Sequence, residues 1–231
     1  MKILKNFTIF FIILIGILIA ETPKKHILMI GDSISILYGP YLKDFLKDTF
    51  DYRVKGNIKD AIINLDNPNG ANAGNSRMIL DYLEHCSDNE INYEDDIILL
   101  NCGLHDIKTD PVTGKKAINL AEYISNLDSI FNIILSLDKK LIWINSTPVN
   151  DSIHNSRQTG FYRFNNDVIK YNLAADSICK FYKIPVIDLY LYSNSFPVEA
   201  YSDHVHYKPQ YSKLQAKFIS DFLKNLYPDE Q

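Results

Sequence analysis

The sequence is 231 residues long, 46% hydrophobic and 23% charged, with nine glycines, nine prolines and three cysteines. Those fractions exclude collagen-like, disulfide-scaffold and low-hydrophobicity disordered chains. A formal charge of −4 lacks the basic surplus of a nucleic-acid binder, so no nucleic-acid partner is expected.

Residues Phe7 to Ala20 carry no charge, with Lys2 and Lys5 ahead of them and Glu21 after. A positive start, a short apolar run and a small final residue describe a secretory signal peptide over residues 1–20. Leu18 is a poor residue for the cleavage site, so an uncleaved signal anchor is the alternative, although the run is shorter than the ~20 residues of a spanning helix. The expected location is secreted, or cell envelope or periplasm, with membrane contact only through such an anchor. Residues 21–231 read as a single domain, long enough for one filled core. Cys86, Cys102 and Cys179 form no C-x-x-C pair, and all three read as small buried hydrophobes.

After the leader, short continuous apolar runs alternate with longer amphipathic ones. His26–Ile30 reads as a first buried strand. Tyr41–Phe50, after a Gly39–Pro40 break, reads as a helix with Leu42, Phe45, Leu46 and Phe50 at helical spacing. Tyr52–Lys55 is a short second strand, and the Asn- and Gly-rich residues 56–75 read mostly as loop. Ser76 suits the N-cap of a helix carrying Ile79, Leu80 and Leu83. Asp96–Asn101 is a third strand, residues 117–138 a long helix, and Leu141–Asn145 a fourth strand. Phe164–Phe181 reads as a helix, Ile184–Leu189 as a fifth strand, and Tyr211–Leu226 as the closing helix. Strands that are apolar throughout, alternating with helices, predict an α/β fold: a three-layer α/β/α sandwich around a mostly parallel five-stranded sheet. Such folds place chemistry at the carboxyl ends of their strands.

The first strand ends in Gly31–Asp32–Ser33, which alone is compatible with a plain turn and cap. Near the other end of the chain stands Tyr201–Ser202–Asp203–His204–Val205–His206. A serine hydroxyl needs an imidazole to take its proton, and the imidazole needs a carboxylate to fix its tautomer. Asp203 and His206, three residues apart, can supply both from one turn. Two other readings of that segment are a capping Asp beside a surface His, and a metal site of Asp203, His204 and His206. Backbone N–H groups of Ser33 and Gly74 and the side chain of His105 are candidate donors to an oxyanion. Gly74 also reads as a turn glycine and His105 as a structural histidine. Asp32 reads as a tether of the turn, and Asp188 as a cap or cleft residue.

Taken together, Ile30–Gly31–Asp32–Ser33, Gly74–Asn75–Ser76, Gly103–Leu104–His105–Asp106 and Asp203–His204–Val205–His206 resemble, in their order, the four blocks of the SGNH, or GDSL, hydrolase family. Trp143 and the Thr147–Pro148–Val149 turn are similar to that family's fourth-strand turn. The resemblance spans residues 31–206 and implies a flavodoxin-like SGNH hydrolase fold. It implies a serine esterase with Ser33, Asp203 and His206 as triad, and Ser33, Gly74 and His105 as oxyanion hole. One departure stands out: His105 occupies the place of the family's Asn, and a neutral His donates a single N–H there only in the right tautomer. The implied substrate is a small-molecule or carbohydrate ester, such as O-acetyl groups on a polysaccharide, with no metal or organic cofactor. The alternatives are an O-acyltransferase using the same triad and a catalytically silent carbohydrate-binding protein of this fold.

Overall fold

A computed structural model describes residues 24–85, 95–157 and 160–228; the leader over residues 1–20 and Cys86 lie outside the described residues. In chain order the elements are β1 (Lys25–Ile30), α1 (Ser33–Leu46), β2 (Phe50–Val54), α2 (Ile58–Ala61), α3 (Ser76–His85), β3 (Asp95–Leu100) and α4 (Leu120–Ser136). There follow β4 (Lys140–Ile144), α5 (Asp151–Asn155), α6 (Asn165–Tyr182), β5 (Val186–Ile187), α7 (Leu189–Asn194), a 3₁₀ turn (Val198–Ala200) and α8 (Pro209–Leu226).

The five strands form one sheet in the order β2-β1-β3-β4-β5, every pair parallel. Ile27–Ile30, Ile97–Leu100 and Leu141–Ile144 are buried along their whole length. Continuous burial is the reason these strands are apolar at every position rather than at alternate ones. The α1 and α8 helices pack on each other, and α4 packs on α3 and α6. The chain moves outward from β1 to β2 and in the opposite direction from β3 to β4, so right-handed crossovers put these two groups on opposite faces. One core cluster joins both faces through the sheet, and it includes Cys102, while Cys179 is likewise fully buried; both are free thiols.

The element boundaries differ from the sequence expectation in four places. Gly39–Pro40 does not interrupt the first helix, which starts at Ser33 and carries Pro40 in its interior. Proline there removes one ladder bond and strains the turn before it. Burial of Tyr38, Leu42 and Leu46 on one helical stripe continues through it and outweighs that cost. Phe50, apolar at helical spacing from Leu46, instead begins β2 and packs edge-on against Tyr227. The fifth strand shrinks to Val186–Ile187 because Asp188 caps α7, accepting from Leu191 N–H at 2.9 Å. Finally, the 56–75 segment holds the single-turn helix α2, capped by Asn57.

Strand order reverses at the β1/β3 boundary, the switch point at which an open parallel sheet leaves a crevice above its carboxyl edge. Ser33 follows β1, and Gly103–Asp106 follow β3, so both border that crevice.

Candidate active site

Ser33 sits where β1 hands over to α1. Asp32 is the N-cap: its Oδ1 accepts the Ile34 N–H at 2.9 Å, and its carbonyl accepts from Ser35 N at 3.1 Å and Ser35 Oγ at 2.6 Å. That capping turn puts Ser33 at the first helical position, where an amide has no intrahelical acceptor. Among the described residues the Ser33 N–H meets no acceptor, so it points its dipole, together with that of a 14-residue helix, toward whatever occupies the crevice.

The partner loop is closed before it reaches Ser33. Tyr201 and Tyr207 form an antiparallel bridge, stack at 4.9 Å, and both donate to the Pro148 carbonyl, at 3.0 and 3.4 Å. Within this closure the His206 carbonyl accepts from Ser202 N at 2.8 Å. Asp203 Oδ1 accepts the backbone N–H groups of Val205 (2.9 Å) and His206 (2.8 Å), which aims its Oδ2 at His206 Nδ1, 2.7 Å away. His206 Nε2 lies 2.8 Å from Ser33 Oγ. With Nδ1–H donated to the carboxylate, the Nε2 lone pair is the one that faces the hydroxyl. Burial acts to raise the Asp203 pKa, but the His206 contact and the two amides outweigh it and hold the carboxyl well below the usual range. Those contacts favour the carboxylate anion.

The remaining two blocks are tied to each other. Gly103 has φ +146, and a Cβ there would lie 2.5 Å from Ser146 Oγ. A side chain at this position would be strained and would push on the turn after β4. Three residues on, the fully buried Asp106 Oδ1 accepts from Ser76 N at 2.9 Å and Ser76 Oγ at 2.5 Å, while Asn126 Nδ2 donates to Ser76 Oγ at 3.0 Å. Ser76 is thus the first residue of α3 rather than its cap; Asn75 caps, accepting from Met78 N at 3.0 Å. Gly74 has φ +76, and its N–H donates to Asn72 Oδ1 at 3.2 Å. His105 is 3% exposed, near His206, and its ring makes no hydrogen bond among the described residues. Burial, with the charges of Lys108 and Arg163 adding to it, holds His105 well below the ordinary imidazole range. A neutral ring donates one N–H and accepts at the other nitrogen.

A second cluster flanks the first, and the sequence gives little sign of it. Asp66 Oδ2 lies 3.0 Å from His204 Nε2, and His204 Nδ1 lies 2.8 Å from His154 Nδ1. Burial would raise the Asp66 carboxyl, but the His204 contact and neighbouring positive charge bring it down to about 2. Burial, with Arg163 and His204 adding, pushes His154 down to about 4. Asp203, His204 and His206 do cluster, with ligand-capable atoms within 4.8 Å. Every ring nitrogen in that cluster already has a protein partner, so a metal would have to displace Asp66, His154, Asp203 or Ser33. Arg163, 2% exposed, and Lys108 complete the wall beside His105. The only sequence signal for these residues is the presence of His154 and Arg163 in an Asn-rich loop and of His204 inside the last block.

No protein-family model matches the sequence, and no curated protein matches it. Solved structures do match in three dimensions. A lipase/acylhydrolase from Enterococcus faecalis is 18% identical, with a TM-score of 0.64 over 87% of this chain and 96% of that one. A GDSL-like lipase from Bacteroides thetaiotaomicron is 15% identical, with a TM-score of 0.60 over 87% and 89%. The chain has the SGNH, or GDSL, hydrolase fold. Within that fold it is also similar to Axe2, an acetylxylan esterase from Geobacillus stearothermophilus, at 15% identity and a TM-score of 0.61 over 87% and 93%. Ser33, Asp203 and His206 meet by direct contact at the carboxyl end of β1.

Proposed function

We propose that the protein is a serine carboxylic-ester hydrolase acting on small carbohydrate esters, O-acetyl groups among them. The observation that carries this reading is the unbroken line Asp203 Oδ2–His206 Nδ1 (2.7 Å) and His206 Nε2–Ser33 Oγ (2.8 Å), ending beside an amide with no acceptor. Ser33 Oγ bonds to the ester carbonyl carbon as its proton passes to His206 Nε2, and Asp203 stabilises the imidazolium. The carbonyl oxygen becomes an oxyanion that accepts from the Ser33 N–H, the Gly74 N–H and the His105 N–H. For Gly74 this means sharing or releasing its bond to Asn72. The tetrahedral species collapses, the ester C–O bond breaks, and the leaving alkoxide takes the proton from Nε2. A water then adds to the acyl-enzyme, giving its proton to the same nitrogen, and the acid departs as Ser33 Oγ recovers its hydrogen. The acetylxylan esterases among its structural neighbours favour an acetylated sugar as substrate.

The test is covalent trapping. Incubation with a fluorophosphonate is expected to stop hydrolysis of 4-nitrophenyl acetate and leave one adduct, mapped by mass spectrometry to the peptide containing Ser33. Inhibition with the adduct on another residue sinks the assignment.

His105 gives a graded check. His105→Ala removes one oxyanion donor, so kcat is expected to fall by about 10²–10³ with little change in KM. His105→Asn supplies an N–H without a tautomer requirement and is expected to retain most of the activity. An alanine variant that turns over at the parent rate removes His105 from the oxyanion hole.

A further inference from the structure

Arg163 is a buried cation that forms no ion pair among the described residues. Its backbone is pinned on both sides by Asn155, whose Oδ1 accepts the Arg163 N–H at 3.0 Å and whose Nδ2 donates to the Arg163 carbonyl at 3.0 Å. Its guanidinium lies 4.8 Å from the centre of the Phe161 ring, and Nε donates to the Leu104 carbonyl at 2.7 Å. Leu104 precedes His105, so this bond ties the guanidinium to the segment that carries His105. Nη1 is buried with no partner, and among the described residues no carboxylate pairs with either Nη nitrogen. The strongest acidic influence is Asp66, whose Oδ2 is already engaged by His204. A second cation shares the same aromatic ring: Lys108 Nζ stands 4.5 Å from the Phe161 centre and, among the described residues, donates to the Asp66 carbonyl alone, at 2.9 Å.

Bracing Leu104 does not account for this arrangement. One neutral donor could hold that carbonyl, whereas a desolvated guanidinium with an unmade hydrogen bond is strongly unfavourable. Placing two like charges on one ring adds to the penalty. What relieves both is an anion at the free Nη edge, and a planar guanidinium edge matches a carboxylate in two parallel bonds.

We propose that Arg163, seconded by Lys108, forms a carboxylate-recognising subsite beside the triad, so that the preferred substrates are esters that also carry a carboxylate, such as O-acetylated uronic acids. This rests on the esterase reading for its substrate class, though the subsite can be read without turnover. The carboxylate could belong to the alcohol or to the acyl part. Two matched pairs separate those sources: acetylated glucuronic acid against its methyl ester, and 4-nitrophenyl hemisuccinate against 4-nitrophenyl butyrate. In one pair the acid is expected to exceed its neutral twin in kcat/KM by about tenfold or more, the worth of a charge-assisted pair. Arg163→Gln is expected to bring that ratio to about one, and Arg163→Lys, which keeps the charge and the volume, to an intermediate value. Because the readout is a ratio, a general loss of activity cancels. Wild-type ratios of one or less in both pairs, or ratios unchanged in the two variants, overturn the proposal. Calorimetric titration of the wild type with glucuronate and with methyl glucuronate covers the case in which no ester is hydrolysed. Binding of the acid alone then supports the subsite while the esterase reading fails, and equal or absent binding overturns the subsite too.

Discussion

Ser33→Ala is expected to lower ester turnover by about 10⁶-fold, leaving only what binding and oxyanion stabilisation contribute by themselves. The substitution removes a single oxygen that is 2.8 Å from His206 Nε2 and changes no contact in the core. Circular dichroism and the melting temperature should therefore match the parent while kcat collapses. Asp203→Asn distinguishes a triad from a lone nucleophile. Asparagine keeps an acceptor for the Val205 and His206 amides, so the loop stays closed. Its amide cannot hold the His206 Nδ1–H tautomer, and kcat is expected to drop by about 10⁴. Burst and steady-state hydrolysis of 4-nitrophenyl acetate measures both variants. An alanine variant retaining more than about one hundredth of parent turnover refutes the nucleophile.

Removal of Asp106 should be felt in stability before activity. Asp106→Ala leaves the Ser76 N–H and the Ser76 hydroxyl without their acceptor in a buried site, while Asn126 keeps its bond to Ser76 Oγ. Unsatisfied buried groups cost about 1–3 kcal/mol each, so a loss of about 3 kcal/mol, and about 10 °C in Tm, is expected. Asp106→Asn preserves the acceptor and should lose far less. A pH series adds a sign. Burial pushes the Asp106 carboxyl up to about 7 against the opposing pull of its Ser76 bonds, whereas an unfolded chain titrates near 3.8. Between those values the folded state binds more protons, so the stability associated with this group is greatest below 3.8 and declines as pH rises to about 7. In Asp106→Asn that decline should disappear. Urea midpoints at pH 4.5 and 7.5 compare the two, and equal pH slopes in parent and variant contradict the assignment.

Strands were the most legible part of the fold. β1, β3 and β4 fall within one residue of their sequence-based bounds because burial on both faces leaves an unbroken apolar run. Phe50 and Pro40 misled for a shared reason: each was read from a local pattern, whereas tertiary burial decides it. Phe50 is apolar in either assignment, and the core selects the strand. The placement of Ser33, Asp203 and His206 at loop ends was legible because short motifs encode short turns. Asp66, His154 and Arg163 were not, since their partners lie 138, 50 and 59 residues away and no spacing rule connects them. The role of Asp106 as the clamp between two glycine turns was also hidden, because a sequence displays the residue and not the buried Ser76 that it holds.

The packing of α1 on α8, with Lys224 Nζ reaching the Phe45 carbonyl at 2.9 Å, joins the helix that begins at Ser33 to the helix that follows His206. Synthesis from the amino end makes this a matter of timing. The sheet's first four strands can pair on the ribosome before Ser33 meets His206, because that imidazole is 173 residues further on and its supporting helix is later still. A partly made chain therefore holds Ser33 without its imidazole partner, and under the proposed mechanism its activation waits for the last helix to dock.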